Sequence, residues 1–357
     1  MNGIWASTLD ILTSYGSMIS LAGVGIFLIM AVNALVAVYF ERKVSAFMQD
    51  RLGPMEVGIF GFKGGKKFWG GIGQTIADTV KLLTKEDILP DSADKKLMIL
   101  APFIIFIGAF VTFIGVPFSS VLLVSNFNIG IFYIIAMSSV GVVGIILAGW
   151  ASNNKWSLYG SLRSAAQIIS YEIPAGLSLI LVVLVAGSLN IHDIVGWQAD
   201  HRWFIFHSPM AFLAFFVYFI SGVAETNRTP FDIPEAESEL VAGWMTEYSG
   251  FRWALFFLSE YANMLIVCIL TAVVFLGGWL SPMAMFNIFP ESWLIFDGIW
   301  WGAFWIMFKA IFLIFVMMWF RWTFPRLRVD QLMYLCWKVL IPFALVNLVL
   351  VSIWELL

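Results

Sequence analysis

Apolar residues run along this chain in long blocks, not in the short alternations of a half-buried sheet. A helix crosses the hydrocarbon core of a bilayer in about 20 apolar residues. Eight blocks meet that length and are read as membrane-crossing helices: 17–40, 97–118, 129–151, 164–187, 209–226, 254–279, 299–320 and 336–354. The residues before the first block, Met1–Gly16, contain no Lys or Arg and no small-residue cleavage pattern. They read as a short tail left on the side where the chain starts. A further segment, 68–87, has a different pattern. Phe68, Ile72, Ile76, Val80 and Leu83 recur at three- and four-residue steps with Leu82 alongside, and Gln74, Asp78, Lys81 and Lys85 fill the other faces. It predicts an amphipathic helix lying in the interface and ended by Pro90. Two readings stay open for it: an ordinary peripheral helix, or one wall of a lateral opening between bilayer and protein.

Eight crossings make the connectors alternate between the two sides. On that count every one of the 20 Lys and Arg residues lies on one side except Arg202 and Lys309. Basic residues in short loops mark the cytoplasmic side, so both termini are expected outside, in the periplasm. The long inner loop 41–96 carries the amphipathic segment, and a second inner loop spans 225–252. Trp150, Trp156, Trp197, Trp203, Trp300, Trp301, Trp319 and Trp322 stand near block ends, as an interfacial aromatic belt does.

Composition agrees with the pattern. The chain of 357 residues is 61% hydrophobic, 17% aromatic and only 12% charged. Soluble domains carry roughly 25% charged residues, so a water-soluble enzyme and a disordered chain are excluded. A formal charge of −3 supplies no basic footprint for nucleic acid. The expected fold is an all-α polytopic, multi-pass membrane protein of one domain, 1–357.

Ionisable groups within a span are costly, and each is a functional candidate. Glu172 lies two residues before Pro174 in the fourth block, where the proline loosens the helix hydrogen bonding. Glu225 ends the fifth block, Glu260 lies about two turns into the sixth, and Lys309 stands midway along the seventh. Desolvation disfavours charge, so buried acids are suited to taking and releasing protons near neutral pH. A proton or ion path and a static Lys–Glu pair both remain open. The inner loop 225–252 holds Glu225, Asp232, Glu235, Glu237, Glu239 and Glu247 against Arg228 and Arg252. Asp232 and Pro234 there suit a helix start, and Glu235 and Glu239 would share one face.

Other chemistry is missing from the pattern. No GxGxxG fingerprint, phosphate-binding loop, CxxC or haem pattern occurs, and Cys268 and Cys336 lie apart in apolar runs. The chain supplies no flavin, iron–sulfur or NAD site and no metal centre. His192, His201 and His207 all fall on the connector 188–208 and read as surface residues.

Several motifs occur in a specific order: ERKVSAFMQDRLGP (41–54), ADTVKLLTKED (77–87), SYE (170–172), AETNRTPFDIPEAESELVAG with EYSG (224–250), SEY (259–261) and PRLRVDQLM (325–333). Over essentially the whole chain they resemble the H subunit of bacterial NADH:quinone oxidoreductase, respiratory complex I. The resemblance implies a non-redox membrane component that lines the quinone chamber and couples quinone reduction to proton translocation. It implies a bound substrate, ubiquinone or menaquinone. Its partners would be the iron–sulfur and quinone-site subunits of the hydrophilic arm, small membrane subunits and the lipid bilayer. Carried over residue by residue, it assigns Glu41, Arg42, Arg51, Asp78, Arg228, Phe231 and Asp232 to the chamber. It assigns Glu172, Glu225, Glu235, Glu237, Glu239 and Glu260 to a proton-coupling chain, with Glu247, Lys309, Arg321 and Arg326 as weaker matches. The chain departs from the family pattern at Met55 and Glu56, in a longer stretch 61–71, and at Trp244-Met245. A membrane anchor of an energy-converting hydrogenase and a stand-alone ion transporter are the alternative readings.

Overall fold

The computed structural model describes residues 2–58, 70–233, 237–282 and 298–356. No β-strand occurs among them. The helices are α1 (Asn2–Met48), α2 (Gly73–Thr84), α3 (Lys95–Thr112), α4 (Gly130–Ala151), α5 (Lys155–Ala186), α6 (Ile191–Asp200), α7 (Pro209–Glu225), α8 (Glu237–Leu240), α9 (Gly250–Phe275), α10 (Ile299–Thr323) and α11 (Val329–Trp354). Seven of them, α1, α3, α4, α5, α9, α10 and α11, are long and apolar enough to cross a membrane. The eighth expected crossing is α7. It is apolar up to its last residue, Glu225, but has only 17 residues. At 1.5 Å per residue it reaches about 26 Å, a little less than the roughly 30 Å hydrocarbon core.

Capping residues fix three helix starts, and those of α3 and α5 come earlier than the apolar blocks suggest. Asp94 accepts from the amides of Lys96 and Leu97 at the start of α3, and Asn154 accepts from Trp156 at the start of α5. Ser208 accepts from Ala211, with Pro209 in the first turn of α7. Each cap satisfies an amide that the helix itself leaves free. Lys155 and Arg163 therefore lie on α5, not in a loop. The segment expected as a tail, from Asn2 on, is helical and continuous with α1. Glu41, Arg42 and Lys43, expected to open the inner loop, form the last turns of α1. A polar residue at a helix end lowers local hydropathy without breaking the helix, which is why the blocks of α1, α5, α10 and α11 are shorter than the helices.

The middle helix is α9. Of its most apolar stretch 78% is buried, against 28% in α1 and α11. It packs against α1, α2, α3, α7 and α10. The outer helices turn Leu21, Val24, Phe304, Phe308, Val346 and Val349 outward, all half or more exposed. That surface suits lipid or other apolar helices, not water.

Helix α5 runs through Pro174 without a break. Helix α11 contains a π segment, Leu335–Leu340, just before Pro342, a local widening that sequence periodicity does not disclose. In α2, Ile76, Val80 and Leu83 are about half exposed and Gly73 and Thr75 are buried. Its apolar stripe thus faces away from the bundle, while small residues make the close contact. Phe68 lies outside the described residues. Trp203, expected in the interfacial belt, is instead buried under Lys309. The three connector histidines pack on aromatic rings: His192 on Trp279, His201 and His207 on Trp197.

Candidate functional site

Helix phase separates the first two site residues. Glu41 and Arg42 are consecutive on α1 and therefore point about 100° apart. Glu41 faces the bundle and is 7% exposed. Both its oxygens accept from Nη1 of Arg228, at 2.9 and 3.0 Å. Its Oε2 also accepts from the Tyr261 hydroxyl at 2.5 Å, and its Oε1 from Arg321. Nε of Arg228 lies 3.0 Å from Oε1 of Glu260, and its guanidinium sits 4.5 Å above the Tyr261 ring. Two carboxylates and two guanidiniums from α1, α9, α10 and the loop after α7 thus form one knot with no net charge. Burial opposes the charge on Arg228, but Glu260 and Glu41 outweigh it and hold the guanidinium more firmly protonated. A second pair joins Asp232 on the same loop to Arg326, in the connector between α10 and α11, at 3.2 Å. Burial raises the Asp232 carboxyl above the usual carboxylate range, against the pull of Arg326, Arg321 and Arg228.

The loop that carries Arg228, Phe231 and Asp232 is held by α5. Gln167 donates to the carbonyls of Ala224 and Phe231, both at 2.8 Å, and to Oδ1 of Asn227. Asn227 donates to Ser164, and Leu327 donates its amide to the Pro230 carbonyl. The ring of Phe231 rests 5.5 Å from that of Tyr171.

Arg42 turns the other way and pairs with Asp78 on α2, which also accepts from Gln74 at 2.9 Å. This pair is partly exposed, with side chains 42% and 32% accessible. The next residue, Lys43, is buried. Its Nζ donates to the carbonyls of Pro54 at 2.8 Å and Leu52 at 3.3 Å, tying the loop after α1 back onto the helix. Arg51 is exposed on that loop and contacts Gln49.

Glu172 and Glu225 come together deeper in the bundle. They line a cavity of about 30 Å³ with Ser138, Tyr218, Ile266, Val267 and Leu270. Ser139 donates to Glu172 at 2.9 Å, and Ser138 is hydrogen-bonded to Glu225. The space exceeds the roughly 10–15 Å³ that one water needs, and Ser138, Glu172, Tyr218 and Glu225 offer polar groups to hold it within otherwise apolar walls. One helix connects this cavity to the knot: α9 carries Glu260 and Tyr261 to one and Ile266, Val267 and Leu270 to the other.

Two further acids of the expected coupling chain, Glu239 and Glu247, do not join these groups. Glu239 pairs with Arg163 at 2.9 Å, and Glu247 accepts from Asn154 at 2.7 Å. Glu235 and the side chain of Glu237 lie outside the described residues. The static Lys–Glu pair is not found among the described residues. Lys309 donates to three backbone carbonyls instead. Three residues of this architecture were not singled out from sequence: Lys43, Gln167 and Tyr261. Tyr261 stands in the SEY motif and Lys43 in the ERK motif. Gln167 was a lone amide in an apolar span, and its partners are mostly backbone atoms.

Comparison with known proteins assigns the chain. A family model for NADH dehydrogenase matches residues 21–352. The H subunit of the NADH-quinone oxidoreductase of Chlorobaculum tepidum is 54% identical over 321 residues, covering 89% of this chain and 86% of that protein. The H subunit from Bacteroides thetaiotaomicron is 48% identical over 92% of this chain and 88% of its own. That of a Geobacillus species is 49% identical over 94% of both. On these matches the chain belongs to the family of NADH-quinone oxidoreductase H subunits.

Proposed function

We propose that this complex I membrane subunit lines the chamber that receives the quinone headgroup, and that it converts quinone reduction into proton movement without any redox centre of its own. The single observation that carries this reading is Arg228, buried and shared between Glu41 and Glu260. Reduction of a quinone by two electrons creates negative charge and draws in two protons. Arg321 and Arg326 are partly exposed, at 31% and 37%. They can turn toward such charge, and each then releases a carboxylate, Glu41 or Asp232, whose proton affinity rises. In a site of low dielectric that exchange acts over several ångströms. The acids at the cavity, Glu172 and Glu225, receive the change along α9. The exposed apolar stripe of α2 forms one side of the entrance from the bilayer, beside Arg42 and Asp78. Ubiquinone or menaquinone fits the reading equally. Subunits of the hydrophilic arm would supply the iron–sulfur cluster, and small membrane subunits would continue the acid path. The basic side faces the cytoplasm, with both termini in the periplasm of a bacterial inner membrane.

The test is Arg228→Met in the assembled complex. Quinone reductase activity should fall by tenfold or more, on the order of the 1.4 kcal/mol that such a factor represents. Electron transfer from NADH to ferricyanide, which does not need the quinone, should persist. Quinone reduction at the wild-type rate, with the complex present in normal amount, would overturn the reading.

A further inference from the structure

The ammonium of Lys309 occupies a cage of backbone carbonyls. Its Nζ lies 2.7 Å from the oxygen of Leu276, 2.8 Å from that of Gly278 and 2.7 Å from that of Leu280. The Trp203 ring lies 4.3 Å below it, and the side chain is 6% exposed. An ammonium has three N–H donors, and all three are used. Its carbonyls belong to a tight turn at the end of α9. The amides of Leu276 and Gly278 both return to the Ala272 carbonyl. Gln198 clamps the same turn, accepting from Gly277 and donating to Val273. Gly277 has φ +74, and a Cβ there would lie 2.3 Å from the Trp203 nitrogen. The cage is therefore a rigid construction: three carbonyl oxygens and the Trp203 face favour the ammonium against the cost of burial and hold it in place.

Position gives this charge its meaning. Helix α9 carries Glu260 at the Arg228 knot, then the cavity wall at Ile266, Val267 and Leu270, then the Lys309 turn. Leu270 and Leu276 are about 9 Å apart along the helix axis. The acidic cavity thus lies between the knot and a buried cation. A fixed positive charge in a low-dielectric passage repels protons and metal cations, as the cationic constrictions of selective pores do.

We propose that Lys309 seals the acidic cavity against cations at the end of the bundle opposite Arg228, so that a proton held at Glu172 or Glu225 cannot leave by that end. The inference rests on the coupling role given to Glu172 and Glu225 above. It makes Lys309 a positioned barrier, not a member of the proton relay.

The test uses inside-out membrane vesicles containing the whole complex, without NADH, and follows the decay of an imposed pH gradient with an entrapped pH dye. Lys309→Gln keeps two donors for the turn, Lys309→Met keeps the chain length, and Lys309→Arg keeps the charge. Either neutral variant should lose the gradient on the order of tenfold faster than wild type through the complex. Lys309→Arg should not, and adding Glu172→Gln to a leaking variant should restore retention. Wild-type retention in an assembled neutral variant overturns the seal. So does an equal leak in Lys309→Arg, which would mark lost packing, and so does a leak indifferent to Glu172→Gln. Glu172→Gln alone, assayed for protons moved per electron during NADH oxidation, reports separately on the coupling reading.

Discussion

The thiol of Cys336 donates to the backbone carbonyl of Ser170 at 3.0 Å. Ser170 stands four residues before Pro174, and a proline has no N–H to offer that carbonyl. A carbonyl orphaned in a helix interior needs another donor, and α11 brings one at the start of its π segment. The contact is reciprocated nearby, where Tyr171 donates to the Leu332 carbonyl at 3.0 Å. Cys336→Ala should therefore lower stability by about 1–3 kcal/mol, the cost of a buried unpaired acceptor. Cys336→Ser keeps a donor and should lose less. Thermal melts of the purified complex in mild detergent rank the variants, and equal losses for Ala and Ser would contradict the role of the donor.

Under the proposed coupling role, Tyr261 bears on turnover more than on folding. Its hydroxyl is one of three groups that hold Glu41, with Arg228 and Arg321 as the others. Tyr261→Phe removes the neutral donor and leaves both guanidiniums in place, so the complex should assemble. A hydrogen bond to a charged group contributes about 1.5–3 kcal/mol. If the set of Glu41 partners governs the response to quinone, quinone reductase activity should fall by roughly tenfold with assembly unchanged. Native gels beside the activity assay check both halves, and an active Tyr261→Phe complex would count against the knot.

How far these contacts could be read beforehand depends on what each one consists of. The helices were legible because burial in lipid imposes a long apolar run, and α4 and α7 match their blocks closely. The starts of α5 and α3 were not, because Asn154 and Asp94 extend helices through residues that look like loop. Glu172, Glu225 and Glu260 stood out as acids in apolar runs. That Glu41 meets Arg228 was invisible, since hydropathy cannot pair residues 187 positions apart. Lys309 was legible as a buried charge, but its partners were not, because carbonyl oxygens leave no trace in side-chain identity. The same holds for Lys43, Gln167 and Cys336, whose partners are largely backbone oxygens.

Asp78 gives a contrast with the buried knot. Its pair with Arg42 is partly exposed, and such pairs contribute only about 0–1 kcal/mol. Asp78→Asn should leave assembly and melting temperature almost unchanged. Beside the proposed entrance it should instead raise the KM for a short-chain quinone several-fold with a smaller change in kcat. Raising salt to about 1 M should reproduce part of the effect in the wild type, because exposed pairs are screened. A kcat loss at constant KM would place Asp78 in the reaction and not at the entrance.

Lys43 and Gly71 act on one loop from opposite sides. Lys43 holds the Pro54 carbonyl at 2.8 Å. Gly71, with φ +81, passes so close that a Cβ would lie 2.3 Å from the same oxygen. Gly71→Ala must push the loop away and also strain a backbone that favours glycine. Lys43→Met removes the tether and leaves the Leu52 and Pro54 carbonyls without this donor. Each change should free the loop, and Arg51 within it is an exposed trypsin site. Limited trypsin digestion of the assembled complex should therefore cut after Arg51 faster in either variant. Because both act through Pro54, the double variant should be cut little faster than the worse single one. Additive acceleration would mean that the two residues restrain different segments.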